Sequence, residues 1–81
     1  MQVIKRDGTV VDYDRAKIAV AIGKANAEME AQERASGEEI ESILSYIEGK
    51  KKKRMLVEDI QDIIEEKLME QGHYELAKTY I

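Results

Sequence analysis

The chain has 81 residues, 43% of them hydrophobic, and a formal net charge of −4. This length suffices for one small domain with a modest core and leaves no room for a separate catalytic domain. The absence of cysteine excludes a disulfide framework, a thiolate zinc site and a cysteine nucleophile. No apolar run approaches the roughly 20 residues of a membrane span, and no apolar signal region is present at the N-terminus. We therefore expect a cytoplasmic setting and no membrane partner.

The segment 2–13 is predicted to form a β-hairpin. Two runs rich in β-branched residues flank Asp7-Gly8, and this dipeptide is typical of a two-residue type I′ turn. Such a turn requires positive φ at both central residues, which glycine accepts freely and aspartate tolerates. The predicted register pairs Ile4 with Val11.

This register divides the hairpin side chains between two faces. Both faces would carry apolar groups, and an isolated hairpin is at best marginally stable in water. We therefore expect the helices to cover one face and a ligand or partner to cover the other. The first face shows Ile4, Val11 and Tyr13, and the second shows Val3, Lys5 and Val10.

Helical periodicity follows the hairpin in four segments, at about residues 14–33, 37–48, 57–71 and 73–81. Asp14 is a favourable N-cap, and Ser36 with Glu39 matches the capping box. Gly72 is expected to end the third helix. The sequence thus predicts a single α+β domain over 1–81, mainly α, in which an N-terminal hairpin packs as a lid on a bundle of four helices.

No set of residues indicates catalysis or metal binding. His73 is the only histidine, and it fits a capping or surface role better than a catalytic one because no partner is marked for it. The sequence contains no phosphate-binding glycine loop. We therefore predict no catalytic residues and no metal ligands, and the chain is not expected to be an enzyme.

Two groups of basic residues each allow two interpretations. The run Lys50–Arg54 could bind phosphate backbones, but without interleaved aromatic residues it fits a solvated connection better. Lys5, Arg6 and Lys17 could be ordinary surface charge, since lysine on an edge strand discourages aggregation. If the hairpin folds over the start of the first helix, however, these three cations converge near its amides, a favourable setting for a phosphate.

At these residues the sequence resembles the ATP cone, a small regulatory nucleotide-binding domain of many ribonucleotide reductases. The resemblance covers the whole chain. It lies in Val3–Val10, Asp14–Ile18, Val57–Glu65 and Gly72–Ile81. The Lys-Arg-Asp-Gly hairpin, together with Gln61-Asp62, looks most like the cones of anaerobic, glycyl-radical ribonucleoside-triphosphate reductases.

The resemblance implies that ATP or dATP binds between the hairpin lid and the helices, with Mg²⁺ on the phosphates. Lys5, Arg6 and Lys17 would contact phosphates, and Val3 and Ile18 would pack around the base. The implied nucleotide-binding residues are Val3, Lys5, Arg6, Asp14, Lys17, Ile18, Val57, Ile60 and Gln61. Many cones carry Thr or Ser at the position of Val57, so a hydrogen bond to adenine is lost there. The family also continues with a basic residue beyond Ile81, so we expect an excised domain.

The leading hypothesis is an allosteric domain that binds ATP or dATP and controls the catalytic domain of an attached reductase. In the family, ATP switches the enzyme on and dATP switches it off. One alternative is a nucleic-acid-binding module that uses Lys50–Arg54 and the basic hairpin, such as the cone of a repressor of reductase genes, although nucleic acid is the less favoured partner. Another is a structural dimerisation module.

Overall fold

Within residues 1–80, the part of the chain that the computed structural model describes, four helices pack beneath three short strands. The elements are β1 Gln2–Ile4, β2 Val10–Asp12, α1 Arg15–Asn26, a 3₁₀ turn Ala31–Glu33, α2 Gly37–Gly49, β3 Arg54–Leu56, α3 Val57–Glu70 and α4 Tyr74–Tyr80. The predicted mainly α, α+β class is confirmed. Ile81, the predicted last residue of α4, lies outside the described residues.

The hairpin register differs by one residue from the predicted one. β1 pairs with β2 as Val3 with Val11 and Ile4 with Val10. Lys5 and Thr9 continue this pairing, so the loop consists of the three residues 6–8. The Gly8 amide donates to the Lys5 carbonyl (2.9 Å) and the Lys5 amide donates to the Thr9 carbonyl (2.8 Å). Gly8 has a φ of +86°, so this is a type I turn followed by a glycine bulge, and the predicted type I′ turn is wrong.

The shift changes which residues face the helices, because a strand alternates its side chains. Val3 and Val11 share the inner face, so the prediction was wrong to separate them. Ile4 and Val10 share the outer face, where Val10 is 44% exposed. Relative to β1, the predicted sides of Val10 and Val11 are therefore exchanged.

A third strand extends the hairpin into a sheet with the order β2-β1-β3. β3 runs parallel to β1 and pairs Val3 with Met55. The sequence interpretation missed this strand and placed Arg54 in a connection. Arg54 begins β3, and its Nε donates to the side-chain oxygen of Gln2 (3.0 Å).

α1 ends at Asn26, earlier than the predicted end near residue 33. The Asn26 side chain donates to the Ala35 carbonyl (2.9 Å) and accepts from the Ala35 amide (3.0 Å). The Arg34 guanidinium donates to the carbonyls of Asn26 (3.1 Å) and Met29 (2.9 Å). These contacts satisfy backbone groups that a longer helix would have used internally.

The predicted caps are confirmed. The Asp14 side chain accepts from the Ala16 amide (3.0 Å), and Ser36 forms a reciprocal capping box with Glu39. After α3, Gly72 adopts a φ of +87°, its amide donates to the Met69 carbonyl, and the next amide reaches back to Leu68. These two bonds form a Schellman motif.

The core lies between the helices and the inner face of the sheet. Each fully buried aliphatic side chain contributes about 1.5–3 kcal/mol, and the helical periodicity places them on facing stripes. Val3 and Met55 add the contribution of the sheet, which is therefore packed on the bundle. Across residues 1–80, the helices are too short or too polar to cross a membrane. The largest fully buried side chains are Ile22, Ile43, Ile47, Ile64, Leu68 and Leu76.

Candidate functional site

A cleft of about 210 Å³ opens between the inner face of the sheet, the starts of α1 and α3, and the end of α4. It gathers most of the residues that the sequence predicted for a binding site. Those lining it are Val3, Lys5, Asp14, Lys17, Ile18, Val57, Ile60 and Gln61. Four further residues, which the sequence analysis did not assign to the site, also line it: Val11, Asp12, Tyr13 and Tyr80.

The inner part of the cleft is apolar. Val3 and Ile60 are buried, with 9% and 3% of their surface exposed. Ile18 and Val57 are half-buried and pack against the core from the cleft side. Val57, Ile60 and Gln61 follow a spacing of three and four residues, so they share one face of α3. This part of the cleft suits a flat apolar group such as an aromatic ring.

Cations and a helix N-terminus stand at the mouth of the cleft. Lys5 comes from the hairpin and Lys17 from the first turn of α1, and both are exposed. The first turn of α1 carries no acidic residue, and the Asp14 carboxylate that caps it offsets only part of its positive dipole. The mouth is therefore suited to a polyanion such as a phosphate chain.

Arg6 is not among the residues lining the cleft. Its Nη2 donates to Oε1 of Gln61 at 3.1 Å, and its Nε lies 3.4 Å from Oε1 of Glu58. It borders a shallow hollow on the outer side of the sheet, beside Ile4 and Leu56. The structure thus brings Lys5 and Lys17 to the cleft and places Arg6 across the start of α3.

Tyr13 forms part of the cleft wall, and its hydroxyl is hydrogen-bonded to a side chain outside the cleft. Its hydroxyl donates to Oε2 of Glu48 at 2.7 Å, and the same carboxylate accepts from Arg15 Nε at 2.9 Å. Arg15 also binds Glu41 through both terminal nitrogens (2.8 and 3.0 Å). Burial, followed by the hydrogen bond to Glu48, raises the pKa of Tyr13 far above its ordinary value. The hydroxyl therefore stays protonated and remains a donor.

Tyr80 closes the cleft from α4. It is half-buried, and burial raises the pKa of its phenol. Sequence signals for both tyrosines existed, since Tyr13 alternates with Val11 and Tyr80 follows Ala77 in helical register. These patterns indicate packing positions and do not by themselves indicate a binding site.

The two other groups singled out in the sequence lie elsewhere. His73 Nε2 is 2.9 Å from Oε1 of Glu39, so it joins the start of α4 to the cap of α2. Lys50 lies over the Tyr46 ring at 5.0 Å from its centroid, while Lys51 turns the chain with a φ of +52°. Across residues 1–80, no cluster of three or more acidic, histidine or cysteine side chains could hold a metal ion.

Fold and cleft together define a small α+β domain whose sheet covers a helical bundle and leaves a cation-edged apolar cleft between them. The sequence matches the ATP cone domain family over residues 1–81. The chain belongs to the ATP-cone family.

Similar proteins include ribonucleotide reductases of bacteria and archaea. The chain is 37% identical over 95 residues to the ribonucleoside-diphosphate reductase subunit alpha of Chlamydia trachomatis, and this alignment covers 100% of the chain and 9% of that protein. It is 35% identical over 86 residues to the vitamin B12-dependent ribonucleoside-diphosphate reductase of Thermoplasma acidophilum, covering 99% of the chain and 11% of that protein. The chain therefore spans about a tenth of the length of these relatives. They are diphosphate reductases and give no support to the expected anaerobic triphosphate class.

Proposed function

We propose that this chain is an allosteric adenine-nucleotide-binding domain that controls an attached ribonucleotide reductase and performs no catalysis itself. The observation that carries the proposal is the cleft, which joins an apolar inner wall to two lysines and a helix N-terminus at its mouth. A nucleotide has the matching polarity, with a flat base at one end and phosphates at the other. The membership of the ATP-cone family supports adenine as the base.

In the proposed complex the base packs among Val3, Ile18 and Ile60, and the phosphates lie toward Lys5 and Lys17. Asp14, at the N-terminus of α1, also lines the cleft. Mg²⁺ commonly binds phosphates together with one or two carboxylates, so the Asp14 carboxylate fits a magnesium ion that enters with the nucleotide. The parent enzyme supported by the relatives is a diphosphate reductase.

Calorimetric titration of ATP, dATP and GTP into the 81-residue chain tests the proposal. We expect ATP and dATP to bind and GTP to bind more weakly. Lys17→Ala should weaken ATP binding by about tenfold, since a charge-assisted hydrogen bond contributes about 1.5–3 kcal/mol and an exposed pair gives the lower part of that range.

Lys24→Ala is the matched control. It removes the same charge from the same helix, about 10 Å further along its axis, and Lys24 is not among the residues lining the cleft. We expect its ATP affinity to stay within about twofold of the parent, because exposed charges at this distance are largely screened. No heat at millimolar ATP from a chain with an intact helical spectrum, or equal losses in the two variants, would contradict the proposal.

A further inference from the structure

Gln61 lines the cleft from α3, and its carboxamide is hydrogen-bonded to a residue outside the cleft. Gln61 is half-buried and lines the cleft. Its Oε1 accepts a hydrogen bond from Arg6 Nη2 at 3.1 Å. A guanidinium can only donate, so the atom of the carboxamide that meets Arg6 has to be the oxygen.

This orientation of the carboxamide determines which of its atoms is left to bind a ligand. With Oε1 turned toward Arg6, the Nε2 group of the carboxamide makes no hydrogen bond within residues 1–80, and it can only donate. Arg6 is itself held over α3 by the carboxylate of Glu58, 3.4 Å from its Nε. Because Glu58 and Gln61 are three residues apart on the same helix, they lie on one face and can bind one guanidinium together.

We infer that Arg6 is a positioning residue, which orients Gln61 so that the cleft presents a hydrogen-bond donor to an acceptor atom of the bound nucleoside. This inference rests on the proposed function and refines it. The acceptor is a ring nitrogen of the base or a ribose oxygen, and both belong to the nucleoside. The inference therefore assigns Arg6 an effect on the nucleoside half of the ligand, whereas a direct phosphate contact would act on the other half.

Adenosine separates these two roles, because it lacks phosphates. In titrations of the 81-residue chain followed by NMR, Arg6→Ala should weaken adenosine and ATP by the same factor, about three- to tenfold for one net hydrogen bond. Arg6→Lys keeps a donor and should restore most of the affinity. Gln61→Glu keeps the acceptor for Arg6 but loses the donor, so adenosine binding should fall by about tenfold or more.

Glu58→Gln is the matched control for the ion pair. It keeps Arg6 and Gln61 together, and we expect adenosine affinity to remain within about twofold, because an exposed ion pair contributes little. Titration of 2′- and 3′-deoxyadenosine and of 1-, 3- and 7-deazaadenosine then tests the two ribose hydroxyls and the three ring nitrogens as the acceptor. The analogue that lacks the acceptor should bind equally well to the parent chain and to Arg6→Ala.

A direct readout needs no ligand. The side-chain amide resonances of Gln61, identified by their absence in Gln61→Glu, should move in Arg6→Ala and stay in place in Glu58→Gln. A loss of affinity confined to ATP, or unmoved Gln61 resonances in Arg6→Ala, would overturn the inference. If the parent chain binds no nucleotide, the proposed function fails, whereas the resonances still decide whether Arg6 orients Gln61.

Discussion

Replacing Tyr13 by phenylalanine isolates the hydrogen bond that fixes the cleft wall. The substitution keeps the ring and removes only the hydroxyl that donates to Glu48 at 2.7 Å. A hydrogen bond to a charged group contributes about 1.5–3 kcal/mol. The Glu48 side chain is 35% exposed and keeps Arg15 as a partner, so solvent screening and the remaining bond reduce this value. We expect a loss of about 1 kcal/mol.

Urea unfolding measures this loss. For a small domain with a slope near 1 kcal/mol/M, the midpoint should fall by about 1 M, without a change of slope. Tyr74→Phe is the control, because Tyr74 is 60% exposed and its hydroxyl has no hydrogen-bond partner within residues 1–80. Its midpoint should stay unchanged.

A double-mutant cycle that combines Tyr13→Phe with Glu48→Ala tests whether the loss of stability comes from the hydrogen bond between these two residues. We expect a coupling energy of about 1 kcal/mol, within the usual range for residues in contact. The ATP affinity of Tyr13→Phe should stay within about threefold of that of the parent chain. The aromatic ring that lines the cleft remains, and the lost hydrogen bond is made to Glu48, not to the nucleotide. A strictly additive cycle, or a stability equal to that of the parent chain, would refute the reasoning.

Two further predictions concern the helix ends and acid stability. Gly72→Ala should cost about 1–2 kcal/mol, because alanine is strained at a φ of +87°; Gly72→Asn should cost less, and thermal unfolding compares the two. Backbone hydrogen bonding from Ser36 lowers the pKa of Glu39, and hydrogen bonding from Arg15 lowers that of Glu48. Both folded-state values thus lie below the ordinary 4.5, so their contribution is complete above that pH and is lost as the pH falls through the folded values. Urea midpoints measured from pH 7 to pH 3 should fall on the acid side, and Glu48→Gln should reduce that fall.

The helical part of the cleft could be predicted because a helix fixes which of its residues share a face. Val57, Ile60 and Gln61 lie together on α3 whatever packs against them. The same holds within β1, where Val3 and Lys5 are two residues apart and stay on one face in any register. Their neighbour on β2 depends on the loop, so Val11 was assigned to the wrong side.

The turn type of the hairpin could not be predicted from Asp7-Gly8 alone. A type I′ turn would require positive φ at Asp7, at a cost of about 1–2 kcal/mol for a residue with a Cβ. In the observed turn only Gly8 has positive φ, and the Asp7 side chain accepts from the Thr9 amide at 2.9 Å. β3 was missed for a different reason. Its three residues are too few to show a period, and its partner β1 lies some fifty residues earlier in the chain.

The chemistry of the cleft also limits how strongly the chain can distinguish ATP from dATP, which differ by one ribose hydroxyl. Of the described residues that line the cleft, Tyr13, Gln61 and Tyr80 carry the uncharged hydrogen-bonding side chains, and the Tyr13 hydroxyl is committed to Glu48. With the charged side chains of the cleft assigned to the phosphates and the magnesium ion, one ribose hydroxyl can gain or lose one neutral hydrogen bond, or about 0.5–1.5 kcal/mol. We expect the two affinities of the 81-residue chain to differ by no more than about tenfold, as measured by calorimetry under one buffer and magnesium concentration. A hundredfold difference would require more than one such bond, and would show that the sugar is recognised by a rearrangement of the cleft instead of by the preformed groups. If the two nucleotides regulate the proposed parent enzyme in opposite directions at a tenfold ratio, that difference would have to come from their different affinities for its active and inactive states, a coupling of about 1–3 kcal/mol.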